Sequence, residues 1–84
     1  MIGTKRIEEV EKLVFEFQIP AAMQQFALLT EELIDASGNL GQSQLSELLL
    51  IIKVMNTALT TKDYLLLNDL LEFELKPFAA ENLS

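Results

Sequence analysis

Ser43-Gln44-Leu45-Ser46-Glu47-Leu48-Leu49-Leu50-Ile51-Ile52-Lys53-Val54-Met55-Asn56-Thr57-Ala58-Leu59 is apolar almost all the way round when wound at about 100° per residue. Leu45, Leu48, Leu49, Ile52, Met55 and Leu59 fall on one face, and Leu50, Ile51, Val54 and Ala58 on a second. Only Ser46, Lys53, Thr57 and the following Thr60 make a stripe suited to water. The inner run 48–52 would also suit a strand, but the pattern is long and has no strand partners beside it, so a helix over 43–59 is expected. A helix apolar on every side is a buried helix. It needs others around it.

The flanking segments supply them. Residues 4–18 place Ile7, Val10, Leu13, Val14 and Phe17 on one stripe, with Glu8, Glu9, Lys12 and Glu16 opposite. Thr4 is placed to cap this helix, and Glu8 to pair with Lys12. Pro20 disfavours helical geometry in the residue before it, yet suits the first turn of a second helix over 20–37. Ala22, Met23, Phe26, Leu29, Leu33 and Ile34 form the apolar face of that helix. Ser37-Gly38 stops it, with Gly38 available for a left-handed cap. Thr60 to Asp63 makes a tight turn in which Thr60 and Asp63 have capping-box spacing. A fourth helix over 62–78 carries Tyr64, Leu66, Leu67, Leu70, Leu71, Phe73, Leu75 and Phe78 on a wide arc. Pro77 should kink or end it, leaving 79–84 frayed. Four helices joined by short connections predict a single all-α domain over 1–84, an antiparallel up-down-up-down bundle.

Composition excludes much chemistry. With 13 acidic residues against 6 basic, the net charge is −7, which argues against nucleic acid and anionic membranes as partners. The chain has no cysteine and no histidine, so disulfides, thiolate zinc sites and the common nucleophilic triads cannot be built. Its glycines, at 3, 38 and 41, lack phosphate-loop spacing. Glu47, Lys53 and Asn56 interrupt the longest apolar stretch, which is shorter than the roughly 20 residues of a bilayer span. Met1-Ile2-Gly3-Thr4-Lys5-Arg6 runs into acidic residues and is no signal peptide, so a cytoplasmic location is expected. No cofactor, metal or catalytic residue is expected.

Two polar residues sit on apolar faces. Asn56, on the main face of the third helix, either fixes register in an assembly or bonds to a carbonyl or water within a monomer. Glu74, inside the arc of the fourth helix, is either buried with a raised pKa or reaches solvent near the helix end. Three apolar residues sit among charges: Phe15, Leu28 and Leu65. Together with Leu50, Ile51, Val54 and Ala58 they are the candidate interface, because half the residues are hydrophobic and a chain of 84 residues hides little surface. The expected function is a non-catalytic helical interaction module that forms a homodimer. The alternative is a small cytosolic chaperone or adaptor, of the flagellar or secretion export-chaperone type, that holds a partner's amphipathic helix.

Lys62-Asp63-Tyr64-Leu65-Leu66-Leu67-Asn68-Asp69-Leu70-Leu71-Glu72-Phe73-Glu74-Leu75-Lys76-Pro77 resembles the closing segment of an uncharacterised family of short, acidic, helical bacterial proteins, of the form K-D-Y-x-L-L-x-D-L-L-E-F/Y-E-L-x-P. The resemblance covers about the last quarter of the chain and is loose through 17–33. It implies a natural bacterial helical domain and brings no activity or ligand.

Overall fold

The first helix, α1 (Lys5–Phe15), buries Ile7, Val10 and Val14, one side chain per turn, and turns its charged side outward. The computed structural model describes residues 4–83; the reading of 1–3 as a start without a signal lies outside them. Thr4 occupies the N-cap position, but its side chain makes no capping bond. Helix α1 stops three residues short of the expected 18. Phe17 adopts a left-handed conformation (φ 56°), its N–H donating to the Val14 carbonyl and that of Gln18 to the Leu13 carbonyl. These are the two bonds of a Schellman turn, which satisfies carbonyls the helix end would otherwise orphan.

Helix α2 (Ile19–Ala36) carries Pro20 in its first turn, where a missing N–H costs nothing. It buries Ala22, Phe26, Leu29 and Leu33, whereas Met23 and Ile34, expected inside, are exposed. It ends in a short 3-10 turn, Ser37–Asn39, with the Ser37 hydroxyl donating to the Ile34 carbonyl at 2.6 Å. No glycine of the described residues has positive φ, so Gly38 is not the left-handed cap.

Helix α3 (Gln42–Thr60) begins with the Gly41 N–H donating to Gln44 Oε1 at 3.1 Å. Its buried residues, Leu48, Ile51, Ile52, Met55 and Ala58, form one face rather than two. The expected central helix is therefore an outer one. Leu49 and Leu50, 52% and 60% exposed, face water. A second Schellman turn follows, in which Lys62 (φ 61°) donates to Leu59 and Asp63 to Ala58. Asp63 is itself the cap of the next helix, its carboxylate accepting from the Leu66 N–H at 3.2 Å, while Thr60 still belongs to α3.

The final rod, 64–82, holds the centre. It consists of α4 (Tyr64–Leu70), a π-helical turn (Leu71–Leu75) and α5 (Lys76–Asn82). Pro77 neither ends nor breaks it. A proline removes one backbone donor and crowds the carbonyl four residues back. Here the backbone has already widened, and the Lys76 N–H reaches Leu71, five residues back. The wider turn also offsets the drift of about 40° that an α-helix accumulates every four residues. Leu67, Leu71 and Leu75 thus all point into the core, with no exposed surface. Residues 79–83 do not fray: Ala79 and Leu83 are buried, and Asn82 Oδ1 accepts from Gln44 Nε2 at 2.9 Å. Ser84 lies outside the described residues.

These helices make an all-α four-helix bundle with no strand among the described residues. The rod packs against both α1 and α3, and α1 packs against α2, with no comparable packing between α2 and α3. One continuous core of about twenty apolar side chains results, at roughly 1.5–3 kcal/mol for each large one fully buried. No helix among the described residues is long and apolar enough to cross a membrane.

Candidate interaction surface

The ends of α1 and α3 meet at the same end of the bundle, and their turns set out an aromatic patch. Val14, Phe15, Phe17, Tyr64, Leu65 and Asn68 line a shallow depression of about 240 Å³. Phe15, Phe17 and Leu65 are 81%, 74% and 78% exposed. The Phe17 ring meets Tyr64 edge-on, with centroids 6.3 Å apart. Left-handed φ costs a residue with a Cβ about 1–2 kcal/mol, so Phe17 is held in a conformation better suited to glycine. In the same depression, Asn68 donates through Nδ2 to the Glu11 carbonyl at 3.1 Å, while its buried Oδ1 has no partner among the described residues.

The structure brings Phe15 and Leu65 together, whereas Leu28, exposed on α2, does not line the depression. Phe17 was expected in the core. Its displacement comes from the early end of α1, and Pro20, three residues on, was the available signal.

A second surface runs between α3 and the final rod. Glu47, Leu50, Ile51, Val54, Leu70 and Glu74 line a groove of about 260 Å³. Leu50 is exposed and Val54 half-buried; Ile51 and Ala58, expected on the open face, belong to the core, where Ile51 forms the groove floor. The correction has a simple cause: the rod packs on the side of α3 that carries Ile51, Met55 and Ala58, and takes them from solvent. Asn56 and Glu74, the buried-polar candidates, are both exposed. Asn56 faces water beside Lys53 and Thr57, and Glu74 lies at the groove edge.

A cluster of ion pairs ties α1 to the rod. Lys76 Nζ lies 3.0 Å from Glu72, 3.2 Å from Glu8 and 3.8 Å from Glu11. Glu8 thus turns to Lys76 and not to Lys12. Burial, aided by a hydrogen bond with Glu72, pushes the Glu11 carboxyl up to about 7. Hydrogen bonds from Lys76 and Glu11 hold Glu72 below the usual carboxylate range, and the bond to Glu72 raises Lys76. One lysine among three carboxylates, with one of these taking up a proton, makes a clamp. On the opposite side of α1, Arg6 pairs with Glu32 and donates to Gln25 of α2. No group of acidic residues suited to a metal ion occurs among the described residues.

Comparison with protein families, with curated proteins and with solved structures found no match for the chain.

Proposed function

We propose that the protein is a non-catalytic helical interaction module that self-associates as a homodimer through the aromatic patch at the α1–α4 end. The observation that carries this reading is Phe17. A large aromatic in a left-handed conformation, and exposed as well, is disfavoured twice over by the isolated chain. Packing against a second copy removes the exposure and gives the strain a use. Phe15 and Leu65 extend the contact, and aromatic anchors dominate interface energetics. The flanks carry both signs, Glu16 beside Phe17 and Lys62 ahead of Asp63, so two copies meet there without the repulsion their net charge would bring elsewhere. The likeness of 62–77 to short bacterial proteins adds no activity, and a cytoplasmic location accords with the absence of cysteine.

Sedimentation equilibrium tests the reading: the mass should rise toward that of a dimer with concentration. A mass that stays monomeric at millimolar protein overturns it.

A second reading, an adaptor that holds a partner's helix, is favoured by the groove between α3 and the rod. The two readings use different surfaces and are compatible.

A further inference from the structure

We infer that the groove between α3 and the final rod receives a basic amphipathic helix from another protein, a proposal that rests on the adaptor reading and names its site and partner chemistry. Glu47, Leu50, Ile51 and Val54 follow one another at i, i+3, i+4 and i+7 along one stripe of α3, about two turns long. Leu70 and Glu74, one turn apart, form the opposite wall. Apolar side chains at helical spacing on both walls are what a docked helix needs for its own i, i+4 anchors.

Charge then selects the occupant. Both charged residues that line the groove are acidic, and neither Glu47 nor Glu74 takes part in an ion pair among the described residues. The nearest basic residue in the rod, Lys76, has its amine held by Glu8, Glu11 and Glu72 on the α1 side. Lys53 lines a different depression, with Leu49 and Asn56. A second copy placed on this groove would bring its own acidic walls against Glu47 and Glu74, in a chain already at −7. A helix with leucines on one side and lysines flanking them meets both the floor and the rim.

The π turn supports the same assignment. It carries Glu74 to the groove while Leu71 and Leu75 stay in the core, and Leu70, the last residue of α4, completes the wall just ahead of it. Such turns are frequent where helices serve a function.

The probe is a synthetic helical peptide of about four turns with leucines on one face and lysines on the others, titrated into isotopically labelled full-length protein at low salt. A companion peptide carries glutamate in place of lysine. The basic peptide should shift the resonances of Leu50, Val54 and Leu70, and the acidic one should leave them in place. Glu47→Lys combined with Glu74→Lys should weaken the basic peptide at least about tenfold, and Glu31→Lys combined with Asp35→Lys, an equal charge change on α2, less than about twofold. Equal losses from the two pairs, or shifts centred on α2, mean that the peptide binds by general acidity; the groove assignment then falls while an adaptor role at another face survives. No binding by either peptide overturns the groove and the adaptor reading together. Movement of the Leu50 and Val54 resonances with protein concentration alone assigns the groove to a second copy and overturns the proposal.

Discussion

Two turns with the same hydrogen-bond pattern close α1 and α3, and they differ in what stands at the left-handed position: Phe17 in one, Lys62 in the other. Lys62 is an ordinary choice, since its ammonium and its stem are both at ease in water. Phe17 is not, because its ring gains nothing from solvent and its backbone would sit more easily as glycine. The backbone device is equal in both, so the difference lies in the side chain alone. It separates a turn that only reverses the chain from a turn that also presents a surface.

The severest way to break this comparison is to remove what holds both turns in place. Leu67, fully buried one turn into the rod, backs the region where they meet. Leu67→Ala should cost about 2–5 kcal/mol in urea unfolding. A cost below about 1 kcal/mol would mean that the two turns do not share a common support. Next in size is the patch itself. Phe15→Ser combined with Leu65→Ser should weaken self-association at least about tenfold in sedimentation, while Leu28→Ser, outside the depression, leaves it unchanged.

Glycine swaps sharpen the contrast directly. Lys62→Gly should raise stability by about 1 kcal/mol through relief of the left-handed backbone, with no effect on association. Phe17→Gly should raise it by less, since the edge-on contact with Tyr64, about 0.5–1.5 kcal/mol, is lost at the same time. Only Phe17→Gly should also weaken the proposed dimer. If both swaps act alike on association, Phe17 has no role beyond its turn.

The mildest perturbation is pH. Glu11 is raised from an ordinary value near 4.5 to about 7, so its folded form binds the proton more tightly than its unfolded form does. Its stabilising contribution is present below about 4.5 and is lost as pH rises through 7. Glu72, held low, acts in the opposite sense, with a contribution present above the carboxylate range and lost in acid. Stability should therefore fall between about pH 4.5 and pH 7, and Glu11→Gln should flatten that slope. An unchanged slope in the variant would remove the clamp as a pH-dependent link.

The candidate surfaces were partly legible in the sequence. Phe15 and Leu65 each stood out among charged neighbours, but nothing in their spacing placed them side by side, because they lie on α1 and α4 and meet only through packing. Leu28 carried the same local signal and lies elsewhere. Ile51 and Ala58 read as a second apolar face since periodicity locates an apolar stripe without saying how wide an arc the neighbouring helix covers. Asn56 and Glu74 stood on apolar arcs with burial and exposure both open, and the structure exposes both: Asn56 on the outer side of α3, and Glu74 at the groove edge of the rod. The Glu8–Glu11–Glu72–Lys76 cluster left no local trace beyond the Glu72–Lys76 spacing.

Helical class and the approximate extent of the four segments followed from the chain alone, because 3.6-residue periodicity and proline stereochemistry act over a few residues; the left-handed positions of the turns, Phe17 and Lys62, did not. Absence of histidine and cysteine likewise closed off whole chemistries in advance. Tertiary structure alone decided which helix is central, how the backbone passes Pro77, and which exposed apolar side chains share a surface. Each of these depends on the angular position of one helix against another, and a single inserted π residue resets that angle by more than local pattern can record.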